Sequence, residues 1–263
     1  MITKRNIIHN LLALLIISVA TSCNIPKPEK KQTIREKHNY IVLLDLSDRL
    51  IVQDQQPERD RQIIKAIYGI FEEKVKKDLY VKSRDEFKVV IAPQRGSRLD
   101  KDTYEDRLYV NMDNIQNIYR RSKEEERRMK VFGNVDSLYQ QAVFSNNPKA
   151  YYGADIWKYF HEDLSVDYSR DTLTENYLFI LTDGYPIVGK NPNKLKEIKA
   201  KFPRLHVVLI EATPRDKDLE WDRVMAVWEE WFNDIGIEKY TLIKRGAISK
   251  EIEQVKALVT SDA

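Results

Sequence analysis

The chain has 263 residues, 32% of them charged and 10% aromatic, enough for one α/β domain with a substantial core. Such a composition excludes a disordered chain. The formal charge of +3 falls to +1, 42 basic residues against 41 acidic, once Lys4 and Arg5 are set aside with the leading segment; a balance of this kind argues against a polyanion surface, and no nucleic-acid partner is expected.

Residues 1–22 read as an export signal. Lys4 and Arg5 form a basic start, Leu11 to Ala20 an apolar core, and Val19-Ala20-Thr21-Ser22 a small-residue approach to Cys23. The apolar core is shorter than the roughly 20 residues of a membrane-spanning helix. Cys23 is the only cysteine, so no internal disulfide can form. Its position resembles the lipobox of bacterial lipoproteins, which implies a diacylated Cys23 as the mature first residue and attachment to a membrane, each buried methylene contributing about 0.8 kcal/mol. The alternative is an ordinary secreted protein with a chance cysteine. The lipoprotein reading places the chain in the cell envelope of a Gram-negative bacterium, on the periplasmic side or the outer surface of the outer membrane. No acidic run after Cys23 favours one face. Residues 23–38, with Pro26, Pro28, Lys27, Lys30 and Lys31, read as a tether, and residues 39–263 as the folded domain.

Tyr40-Ile41-Val42-Leu43-Leu44 is a continuous apolar run, the habit of a strand buried on both faces of a parallel sheet. It runs into Asp45, with Ser47, Asp48 and Arg49 just beyond. After a loop over 51–56, Pro57 and Glu58 open a helix in which Ile63, Ile64, Ile67, Ile70, Phe71 and Val75 recur at helical spacing to about Leu79. Phe87 to Ala92 is a second strand, giving a right-handed parallel crossover. Leu108 to Met112 fits a short edge strand. The Lys-Glu-Glu-Glu-Arg-Arg run from Lys123 reads as a solvated helix face, and Asn134 to Phe144 as a helix broken by Asn146-Asn147-Pro148.

A further helix is expected from Tyr151-Tyr152-Gly153-Ala154-Asp155-Ile156-Trp157 to about Leu164. Tyr177 to Thr182 is another buried strand, ending at Asp183-Gly184. A loop and short helix span Asn191 to Phe202, and Leu205 to Ile210 is the next strand. Leu219 to Phe232 is a helix with Trp221, Trp228 and Trp231, of which Trp221 and Trp228 share one face; they read as packing residues, the alternative being an aromatic ligand platform. Tyr240 to Ile243 is the last strand, and Ser249 is expected to cap a closing helix carrying Ile252, Val255, Leu258 and Val259. Alternating strands and helices predict an α/β fold, a doubly wound, mostly parallel, Rossmann-like sheet flanked by helices. Ligands of such sheets bind outside the carboxyl ends of the strands, where Asp45 and Asp183 would lie together.

An apolar strand ending Asp-x-Ser-x-Ser, a threonine in a central loop, and a later strand ending Asp-Gly form the metal-ion-dependent adhesion site of von Willebrand factor A domains. The chain resembles that family over roughly residues 39–259, through Asp45-Leu46-Ser47 and Leu181-Thr182-Asp183-Gly184. The resemblance implies a non-enzymatic binding or adhesion module that takes a protein or other macromolecule at the carboxyl edge of its sheet. It implies Mg2+ or another divalent cation, held by oxygen ligands and completed by a partner's carboxylate.

Two departures bear on the site. Arg49 stands where the second serine is expected, and Ala154-Asp155 follows Gly153 where the threonine is expected. On this reading Asp45, Ser47, Asp183 and, as a substitute ligand, Asp155 are the metal candidates. Arg49 and Asp48 modify the site. A guanidinium within about 4 Å of Asp45 and Asp183 would gain several kcal/mol and could replace the metal; pointed away, it would leave Asp48 or Asp155 to supply an oxygen.

The four histidines, His9, His38, His161 and His206, show no ligand spacing, and His206 reads as a core histidine. No glycine-rich phosphate loop is present. Two alternatives stand beside the adhesion reading: a structural envelope lipoprotein with a vestigial site, and a magnesium-dependent phosphohydrolase with Asp45 as nucleophile. The second lacks the aspartate that haloacid dehalogenase-type enzymes usually carry two residues after the nucleophile, where Ser47 stands.

Overall fold

A computed structural model describes residues 36–78, 80, 82–94, 97–115, 117–144, 153–185, 200–213 and 218–261. The expected signal, Cys23, most of the tether and the short helix after Asn191 lie outside the described residues. In chain order the elements are β1 (Lys37–Leu44), α1 (Arg49–Val52), α2 (Gln56–Lys77), β2 (Glu86–Ile91), α3 (Lys101–Arg107), β3 (Tyr109–Asn111) and α4 (Ile118–Phe144). A short helix α5 (Ile156–Lys158) then continues through a π-helical turn, Tyr159–Asp163, into α6 (Leu164–Asp167). After it come β4 (Thr174–Leu181), β5 (Leu205–Ala212), α7 (Asp218–Asp234), β6 (Lys239–Lys244) and α8 (Ile248–Ser261).

The six strands form one sheet in the order β3-β2-β1-β4-β5-β6, parallel except for the antiparallel edge strand β3. This is the doubly wound α/β arrangement that the alternating apolar runs predict. Strand side chains alternate between two cores. Tyr40, Val42 and Leu44 pack with Ile63, Ile67 and Phe71 of α2, Val131 and Val135 of α4 and Val255 of α8. Ile41 and Leu43 pack with Tyr159 and Phe160 of the π-helical turn and Trp228, Trp231 and Phe232 of α7. The chain winds outward from β1 in one direction through β2, and in the other through β4, β5 and β6. The switch point of the winding therefore lies between β1 and β4, where open α/β sheets hold their ligands.

Several boundaries differ from the sequence reading. β1 begins at Lys37, inside the stretch expected as a tether. Its first residues are polar but buried, and each has a partner: Lys37 Nζ to Glu86 at 2.9 Å, His38 N to Asp85 at 2.8 Å, and Asn39 Nδ2 to Asn176 Oδ1 at 3.0 Å. The charged run from Lys123 and the segment from Asn134 are one helix, α4, uninterrupted at Gly133. α3 carried no strong apolar period and was not expected; Asp100 caps it, accepting from Thr103 N at 3.2 Å. Leu108 and Met112 flank the edge strand rather than belonging to it. Ser249 lies inside the first turn of α8 and is not its cap. The segment 151–155 is not helical where described; α5 starts at Ile156, capped by Asp155.

Candidate functional site at the carboxyl edge of β1 and β4

β1 and β4 are adjacent and parallel, in a register that pairs Leu44 with Leu181. Asp45 N donates to Leu181 O at 3.1 Å, so the two strands end level and their loops leave the same rim. Asp45, Ser47, Thr182 and Asp183 all sit on this rim, all buried. The Asp45 carboxylate accepts from Ser47 N at 3.0 Å through Oδ1 and from the Thr182 hydroxyl at 2.9 Å through Oδ2. Burial raises the Asp45 pKa above the usual carboxylate range. Arg49 and the Ser47 and Thr182 hydroxyls work against that rise, and the Asp183 carboxylate adds to it. The level ends of β1 and β4 thus bring Asp45 and Asp183 to one rim. This is the convergence expected from the two strand ends.

The Asp183 loop is built around a glycine. Gly184 has φ +94°, which a side chain rarely adopts, and a Cβ there would approach Trp221 Cη2 to 2.7 Å. Trp228 donates its indole N–H to Gly184 O at 2.9 Å, Thr182 Oγ1 accepts from Gly184 N at 3.2 Å, and Asp183 Oδ1 accepts from Tyr185 N at 3.1 Å. The tryptophans of α7 are packing residues as expected, yet Trp228 also holds this loop.

Arg49 is bound chiefly to Asp60. Its Nε donates to Asp45 O at 2.8 Å, and the planar end reaches under the loop to Asp60 of α2, with Nη1–Oδ1 at 3.2 Å and Nη2–Oδ2 at 2.6 Å. Both side chains are fully buried, and Nε stays 4.0 Å from Asp45 Oδ2. Asp60 also accepts from Gln56 and from the Tyr139 hydroxyl, each at 2.8 Å. Of the two orientations expected for Arg49, the guanidinium takes the one that turns toward Asp60, while Nε remains at ion-pair distance from Asp45. Asp60 was missed in the sequence, although its place three and four residues before Ile63 and Ile64 puts it on the buried face of α2 and so calls for a cation.

Asp155 reaches the same rim but has other work. Its N–H donates to Pro93 O at 2.7 Å, and its Oδ1 caps α5, accepting from Lys158 N at 2.8 Å. Ala154 bridges to Gln94, whose amide donates to Leu46 O at 3.2 Å and so ties this loop to the Asp45 loop. Asp48 stands at the N-cap position of α1, half-buried, with no side-chain capping bond. His206 packs in the sheet with Nε2 3.1 Å from Thr241 Oγ1, as a core histidine would.

The donors present are two carboxylates and two hydroxyls, a hard-oxygen set suited to magnesium or manganese rather than to zinc. Among the described residues no three His, Cys, Asp or Glu side chains gather as a metal centre of those types requires. The residues that could hold a divalent cation here are Asp45, Asp183 and Ser47, which the ends of β1 and β4 place on one rim. The same geometry is poor for a phosphohydrolase. Asp45 is 3% exposed, which leaves little room for a substrate phosphorus in line with its carboxylate, and Ser47 stands where the acid of such enzymes would be.

Compared with family models and with characterised proteins, the sequence matches none.

Proposed function

We propose that this chain is a membrane-anchored, non-enzymatic binding module similar to von Willebrand factor A domains. On this reading its lipid anchor is Cys23, and it recognises a protein or other macromolecule at the rim shared by β1 and β4. The observation that carries the reading is the placement of Asp45 and Asp183 on one rim at the switch point, Asp45 held by a backbone and a hydroxyl donor and Asp183 by the Tyr185 N–H, with Arg49 turned to Asp60. Asp45, Asp183 and Ser47 would hold a Mg2+ or similar ion. The ion would present an open position to a carboxylate of the partner. Asp155, occupied in capping α5, contributes to the rim's shape rather than to the ion.

Titration calorimetry with magnesium and with manganese tests this. Saturable heat that disappears in Asp45→Asn and in Asp183→Asn supports a working site. Silence in the unaltered protein would instead favour the structural lipoprotein with a vestigial site. Turnover of a phosphate ester that Asp45→Asn abolishes would favour the hydrolase.

A further inference from the structure

A groove of about 660 Å³ runs between α2 and α4, formed by helix side chains and not by the strand ends. That size is in the range of small-ligand sites. Arg128 lines it, 5% exposed, and neither its Nε nor its Nη1 has a hydrogen-bond partner. The carboxylate nearest to it in an ion pair, Glu72 Oε1, is 4.0 Å from Nη1 and is itself bound to Lys76 Nζ at 3.1 Å. Tyr68 lines the same groove, 3% exposed, with its hydroxyl also unpartnered. Unmet buried donors cost about 1–3 kcal/mol each, and more for a charged group. Both residues line one groove, so a small turn of either side chain would offer an unpaired donor to an acceptor bound there.

Gly69 supplies an independent sign. A glycine in a helix interior costs about 1 kcal/mol relative to alanine, yet a Cβ at Gly69 would meet nothing within 4 Å. The groove floor is bare backbone beside open space, with aromatic rings for walls. Phe132 stands edge-on to Tyr68 at 5.2 Å, and the Tyr80 ring lies 4.7 Å from the Arg128 guanidinium carbon. The charged lining is mixed, with Lys65, Lys76 and Arg128 against Glu72 and Glu126, a balance of one positive charge that matches a singly charged anion.

We infer that the α2/α4 groove is a binding site for a small aromatic carboxylate. The carboxylate accepts from Arg128 and the Tyr68 hydroxyl, and the ring lies over Gly69 against Phe132 and Tyr80. This site is separate from the strand-end rim and stands or falls on its own.

The test is calorimetry of the full-length protein with 2-naphthoate, and with the neutral 2-naphthylmethanol as control. One-to-one binding of naphthoate is expected with a dissociation constant below about 1 mM, and at least tenfold weaker binding of the alcohol. Arg128→Met should weaken naphthoate at least tenfold. Gly69→Leu should block it while leaving the circular dichroism spectrum unchanged, since its side chain enters open space. The assignment is overturned if naphthoate does not bind, if the alcohol binds equally well, or if the folded Gly69→Leu variant binds naphthoate as the unaltered protein does.

Discussion

The fork between Arg49 and Asp60 is the sharpest place to test how the rim is built. Both side chains have no solvent exposure, and Asp60 accepts four hydrogen bonds, two from Arg49 and one each from Gln56 and Tyr139. Removing either partner strands a buried charge, at a typical cost of about 3–5 kcal/mol. Arg49→Met leaves Asp60 with only Gln56 and Tyr139, and Asp60→Asn leaves the Arg49 guanidinium without its counter-ion. Removing both charges strands neither, and asparagine still accepts from Tyr139. The double variant should therefore cost at least about 2 kcal/mol less than the sum of the singles, outside the additivity of independent sites.

Urea unfolding followed by tryptophan fluorescence gives the four stabilities of the cycle. The pH dependence supplies a second readout with a fixed sign. Burial already raises the Asp60 pKa while Arg49, Gln56 and Tyr139 lower it. Without Arg49 the folded-state value climbs further above the unfolded one, so the folded state of Arg49→Met holds a proton that the unfolded state releases. Its deficit should shrink as the pH falls from neutrality toward the ordinary carboxylate range and grow as the pH rises. Single variants that each cost under about 1 kcal/mol, or a cycle additive within about 0.5 kcal/mol, would refute the picture of Arg49 as a buried structural cation.

Gly184→Ala combines a positive φ with a 2.7 Å approach to Trp221, and should lower thermal stability by about 1–3 kcal/mol and weaken any ion bound by Asp183. Thr182→Val keeps the shape of the side chain but removes the donor to Asp45 Oδ2 and the acceptor for Gly184 N; a loss of about 1–3 kcal/mol in urea unfolding is expected. Burial pushes the Glu105 carboxyl from 4.5 up to about 7, against the Ile91 N–H bound to it at 2.7 Å. Its folded-state pKa exceeds its unfolded one, so its contribution is fully present below about pH 4.5 and is lost as the pH rises through about 7. The melting temperature should accordingly fall less steeply over that interval in Glu105→Gln than in the unaltered protein; equal slopes would show that Glu105 does not titrate there.

What could be read from the chain beforehand divides along a physical line. Strands buried on both faces announce themselves, because nothing but a continuous apolar run can fill such a position, and Tyr40–Leu44, Tyr177–Leu181 and Leu205–Ile210 all lie in the sheet where those runs place them. The meeting of Asp45 and Asp183 was legible for the same reason, since each follows directly on a run of this kind. Buried polar residues leave no such mark. Lys37, His38 and Asn39 belong to β1 only because Glu86, Asp85 and Asn176 complement them, and those partners lie 47 or more residues away along the chain. Arg49 is the instructive case. Four residues after Asp45, it invites pairing with that carboxylate, but its closest partner is the acid on the apolar face of α2, which has no solvent exposure at all. A buried acid on a core-facing helix stripe outcompetes a rim acid for the nearest guanidinium: Arg49 gives Asp60 two hydrogen bonds and holds Asp45 only at 4.0 Å.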